Sequence, residues 1–246
     1  MRSGNPALSE NTFKNVDYAS PGSVMTLNGT VNKTLILLFI CVFAANVSWS
    51  NDLQGTNLNG YMFGGAIAGF ILALITVFKK NWAPVTAPLY ALAEGLFLGA
   101  ISSVYEMQYP GIVMNAVFLT FGTLAALLFA YKSRLIRATE NFKLGVVAAT
   151  GAIALVYIVS MIMGFFGKQM PYLHDSSPLG IGISVVIVVV AALNLVLDFD
   201  FIESGAERQA PKYMEWYGAF GLLVTLVWLY LEILRLLGKL QNRGRN

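Results

Sequence analysis

The chain has 246 residues, 57% of them hydrophobic and 12% charged, with a formal net charge of +3. Soluble domains carry about a quarter charged residues, so this composition, with a mean hydropathy of +0.65, excludes most soluble enzyme classes and points to an integral membrane protein. One cysteine, Cys41, excludes an internal disulfide, one histidine, His174, excludes a histidine metal cluster, and the pI of 8.9 needs no nucleic acid because Lys and Arg beside membrane spans supply it.

Residues 1–30 are polar and hold two prolines. They show no apolar stretch followed by a small-residue cleavage site, and read as a flexible tail rather than a signal peptide. A membrane-crossing helix needs about 20 apolar residues. Seven runs qualify: Val31–Trp49, Tyr61–Phe78, Ala83–Tyr105, Gly111–Tyr131, Leu144–Phe166, Leu179–Ile202 and Trp216–Leu237. No segment alternates as barrel strands do. The expected fold is all-α: one seven-span domain over residues 31–240, then a short tail at 241–246. The small residues of "GGAIAG" in the second span and "GIGIS" in the sixth read as close helix packing.

Basic residues in the connections give an orientation. The second connection has Lys79 and Lys80, the fourth has Lys132, Arg134, Arg137 and Lys143, and the sixth has Arg208 and Lys212. The first and third have none, and the fifth has Lys168 alone. This alternation places the amino terminus in the cytoplasm. Seven spans then export a carboxyl terminus bearing Arg235, Lys239, Arg243 and Arg245; the alternative is a re-entrant segment that keeps it inside. The agreement of six connections favours seven spans.

An ionisable side chain at bilayer depth costs roughly 2.5–3.5 kcal/mol on insertion scales, so such residues are functional candidates by default. Glu94 lies roughly 16 Å into the third span, near mid-bilayer; a functional carboxyl and one hydrogen-bonded to a neighbouring helix are equally open. Asp198 falls four residues before Ile202, and Asp200 lies about 160–200° around the helix from it. Asp198 can therefore face the bundle, while Asp200 and Glu203 read as the helix leaving the membrane. Glu232 has Arg235 three residues on, so a salt bridge within one helix face competes with a contact to another span.

These charges do not fit known intramembrane chemistry. A retinal protein needs a lysine in mid-span, and Lys239 lies past the seventh run. An intramembrane aspartyl protease needs Gly-x-Gly-Asp, and "LVL" precedes Asp198. A rhomboid-type protease needs Ser and His in the membrane, and His174 falls in a connection. No phosphate-cradling glycine loop occurs. The chain is expected to be no enzyme and to hold no cofactor. Two carboxylates brought close share a proton and titrate as a unit, and a bound Ca²⁺ suits the same oxygens.

"LVLDFDFIE" followed by "LYLEILRLL" resembles the paired signature of the transmembrane Bax-inhibitor-motif family. "NPALSENTF", "PGSVMTLNGTVNKT", "EGLFLGAIS", "HDSSPLGIGIS" and "APKYMEWY" resemble its bacterial branch. The resemblance covers nearly the whole chain. It implies a seven-helix bundle with the last helix central, in the bacterial inner membrane, acting as a pH-sensitive calcium leak. By motif match, Asp198 and Glu232 would be the proton-sensing pair and possible Ca²⁺ ligands. An arginine that locks the pair in the family is replaced here by Lys79 or Lys80, without the guanidinium fork that grips two carboxylates. The seventh-span acid is Glu rather than Asp, and Glu94 has no assigned counterpart.

The expected partners are thus the lipid bilayer, Ca²⁺ and protons. A second reading is a non-conducting regulator that binds another membrane protein, such as a membrane protease; a third is a proton-coupled transporter of small solutes. One register question stays open. Asp198 is 13 residues before Pro211 and Glu232 is 21 after it, a mismatch of roughly 12 Å along two straight helices. The pair meets only if the sixth helix ends early, the linker is irregular, or the turn lies nearer Glu215.

Overall fold

A computed structural model of the chain describes residues 24–52, 58–168, 170, 173 and 175–245. The motif "NPALSENTF", His174 and most of the amino-terminal tail lie outside these residues. Seven α-helices are described: α1 (Leu27–Asp52), α2 (Leu58–Phe78), α3 (Ala83–Gln108), α4 (Ile112–Lys132), α5 (Glu140–Phe165), α6 (Pro178–Glu207) and α7 (Met214–Arg245). Each is long and apolar enough to cross a membrane, so the chain is a multi-pass membrane protein. The helices outrun the apolar runs. α1 starts inside the stretch read as tail, α6 passes Ile202 to reach Glu207, and α7 runs on through residues read as a carboxyl-terminal tail. Hydropathy marks where lipid favours a helix, whereas helix ends are set by capping.

Those caps are specific. Thr139 precedes α5 with extended backbone and accepts a hydrogen bond from the Phe142 N–H. α5 closes with a Schellman turn, in which Gly167 at φ 69° donates to the Gly164 carbonyl and Lys168 to that of Met163. Ser177 caps α6 by accepting from the Gly180 N–H. Asp175 in turn accepts from the N–H and hydroxyl of Ser177, and these bonds hold its carboxyl below the usual range.

α6 ends in the same kind of turn, with Ala210 donating to Gly205 and Gln209 to Ala206. Here the left-handed position, φ 53°, is filled by Gln209 rather than glycine. A side chain in that conformation is strained by about 1 kcal/mol. Gln209→Gly is therefore expected to stabilise the protein by about 0.5–1 kcal/mol, read as a raised thermal midpoint in detergent.

Contacts divide the described chain into two compact units, one of residues 24–110 and 201–224, the other of 111–200 and 225–245. α6 and α7 contribute to both. In the first unit α3 is packed through small residues. A Cβ on Gly95 would collide with the Cys41 carbonyl of α1, and one on Gly99 with Ala45 and Ser48. A Cβ on Gly65 of α2 would stand 2.8 Å from the Ala93 carbonyl oxygen. The packing expected of "GGAIAG" is thus met at Gly65, with helix backbones in direct approach. Tyr90 of α3 meets Phe220 of α7 edge to face, centroids 5.0 Å apart.

In the second unit α5 carries few buried residues. Only 6% of its apolar 18-residue stretch is buried, against 67% for that of α7. The packing expected of "GIGIS" is not met at Gly182: a Cβ there would meet nothing among the described residues. Gly182 instead lines an apolar groove of about 640 Å³ with Ala152, Val156, Tyr157 and Val186.

Candidate functional site

Asp198 lies in α6 and is 0% exposed. It belongs to the second unit, as do Glu232, Asp200 and Arg235. Glu232, 2% exposed on α7, is held by three neighbours. Arg235 donates to both its oxygens at 3.0 and 3.1 Å, Tyr157 of α5 donates to Oε1 at 2.7 Å, and the Trp228 indole donates at 3.3 Å. The Arg235 guanidinium also lies 5.3 Å from the Tyr157 ring centroid. The salt bridge within one helix face is therefore present, and it is joined to α5 through Tyr157, which the sequence did not single out.

The register keeps Asp198 and Glu232 apart along the helices. Lys239 of α7 is anchored on α6, donating to the Gly180 carbonyl at 3.0 Å and to Ser184 Oγ at 2.8 Å. Helices antiparallel through that contact set Glu232 level with Ala191, seven residues before Asp198, or roughly 10 Å. The first condition that could bring the two level does not hold, because α6 runs past Ile202 to Glu207 rather than ending early. Asp200, read as a helix exit, forms an ion pair with Lys143 in the first turn of α5 at 2.9 Å. Lys143 is itself buried and also lies 3.4 Å from Glu140. It had counted only as a charge in a connection.

Glu94, Lys79 and Lys80 belong to the first unit. Glu94 is half-buried in α3, and a Cβ on Gly69 of α2 would stand 2.6 Å from its Oε2, so the glycine makes room for the carboxyl. Lys79 and Lys80 form the turn between α2 and α3, Lys79 exposed and Lys80 half-buried.

Two further polar clusters escaped the sequence. At the α6–α7 turn, the buried Glu215 accepts from the N–H of Thr26 at 3.0 Å and its hydroxyl at 2.9 Å, and pairs with Lys33. A carboxylate thus sits at the positive end of α1, where Met25 also donates to the Ala210 carbonyl at 2.6 Å. On α7, Thr225, Glu232 and Lys239 recur every seven residues, so they share one face, and all three are buried. The Lys239 ammonium satisfies its three protons with the Leu173 and Gly180 carbonyls and Ser184. The seven-residue spacing was legible; that the lysine would be buried was not. Among the described residues no three His, Cys, Asp or Glu side chains group as a metal centre.

Seven apolar helices, with carboxylates enclosed on the sixth and seventh, define a polytopic membrane protein that keeps ionisable groups within its spans. A family model described as "Bax inhibitor 1 like" matches residues 5–242, and the chain belongs to that family. A search of curated proteins finds no match.

Proposed function

We propose that the chain is a proton-sensitive leak pathway for Ca²⁺, with Asp198 as its responsive group. The observation that carries this reading is a carboxyl 0% exposed within a membrane-spanning helix, a placement that is expensive and characteristically functional. A carboxyl oxygen accepts either a proton or a cation, so one group at that position couples Ca²⁺ passage to pH. Glu232 takes a supporting part, because Arg235 already compensates its charge and Tyr157 ties it to α5. Glu94, Lys79 and Lys80 belong to the first unit, and this reading gives them no part. Membership of the Bax inhibitor 1 like family supports the reading, as does the motif match at "LVLDFDFIE" and "LYLEILRLL". The alternation of basic connections supports a cytoplasmic amino terminus, and the motifs that resemble the bacterial branch of the family support a bacterial inner membrane. Flux of Ca²⁺ into liposomes holding the purified protein alone tests the reading, since a regulator dependent on a partner such as a membrane protease gives none.

A further inference from the structure

We infer that Asn194 and Asp198 together form an oxygen-donor cation site on α6, in which Asn194 supplies a neutral ligand; the inference rests on the leak reading above. Asn194 is 1% exposed within the span. Its amide nitrogen spends both protons, on Thr150 Oγ1 of α5 and on the Val190 carbonyl, each at 2.8 Å. The second bond fixes the amide, because turned over it would set oxygen against a carbonyl oxygen. Asn194 Oδ1 is thus the atom left over, buried and with no hydrogen-bond partner among the described residues. Buried oxygens are rarely left so, and an ion is one of the few explanations for one.

Asp198 follows four residues later on the same side of α6, with roughly 5–6 Å between Cβ atoms at that spacing. Oxygens about 2.3–2.6 Å from one Ca²⁺ ion fall within reach of two such side chains without a change in the helix. Through the Lys239–Ser184 contact, Thr225 of α7 stands level with Asp198, because it lies as far from Lys239 as Asp198 does from Ser184, and its hydroxyl is the candidate third oxygen. Glu232 stays roughly 10 Å from that level. One charge with neutral oxygens makes a site that an ion can enter and also leave, as conduction requires. Ligands spaced by helix geometry rather than on an octahedron suit Ca²⁺ better than Mg²⁺, which demands near-ideal octahedral geometry and gives up water reluctantly.

The test measures Ca²⁺ and Mg²⁺ flux at one fixed pH in proteoliposomes of the full chain. Asn194→Leu is expected to lower Ca²⁺ flux by about tenfold or more, as loss of a ligand does, and to lower the Ca²⁺-to-Mg²⁺ ratio. Thr150→Val removes the bond to α5 but keeps Oδ1, and should leave both near wild type. Unchanged flux and ratio in Asn194→Leu would overturn the site, as would an equal loss in Thr150→Val. If the wild type carries no Ca²⁺ at all, the leak reading fails by itself. The site is then decided by equilibrium binding of radioactive Ca²⁺, which should be present in wild type and lost in Asn194→Leu; absence from both overturns it.

Discussion

Glu215→Leu should cost about 3–5 kcal/mol, because it leaves the Lys33 ammonium without its carboxylate at a largely buried site. It also strips Thr26 of the acceptor for its N–H and hydroxyl, so the start of α1 loses its cap. Such a loss is a large part of the 5–15 kcal/mol that holds most domains together. The sign is checked by the double variant with Lys33→Met. Replacing both partners of a buried pair by apolar groups is far less damaging than removing one, so the double variant should recover much of the loss. Thermal unfolding followed by monodispersity in detergent gives both numbers. A single variant with the wild-type midpoint would show that the pair contributes nothing to holding α1 on the α6–α7 turn.

Lys239→Ala is the second large effect. Three acceptors, the carbonyls of Leu173 and Gly180 and the Ser184 hydroxyl, lose their donor together. Each buried group left unsatisfied costs about 1–3 kcal/mol, although Gly180 and Ser184 sit near the start of α6, where water can reach part of the deficit. Hydrogen exchange is expected to quicken over residues 178–184 while the α6–α7 turn keeps its protection. Unchanged exchange at the start of α6 would mean that Lys239 is not what anchors it.

What could be read beforehand follows from what each signal depends on. The seven spans were legible because lipid makes apolar length sufficient for a helix. Their ends were not, since α1, α6 and α7 extend on caps and turns made by polar residues such as Thr26, Ser177 and Gln209. Burial of Asp198 was legible from the apolar run around it. Its separation from Glu232 was visible as a register mismatch, and the unbroken α6 preserves that mismatch. Lys143 and Lys239 were counted only as charges of a connection and of the carboxyl terminus, and Glu215 was given no role, because a charged residue is buried only when distant segments supply its partners: Asp200 for Lys143, Ser184 for Lys239, Thr26 and Lys33 for Glu215. Asn194 could have been found, one turn before Asp198, had amides been weighed beside carboxylates.

The central claim concerns one buried carboxyl, Asp198, and Ca²⁺. Its most direct test is Ca²⁺ flux across a pH series in proteoliposomes of wild type and Asp198→Asn, with Glu232→Gln beside them. Wild type should conduct with a marked pH dependence. Asp198→Asn should flatten that dependence, and Glu232→Gln should shift it less. Absence of flux in wild type, or an Asp198→Asn profile that overlays it, would contradict the account.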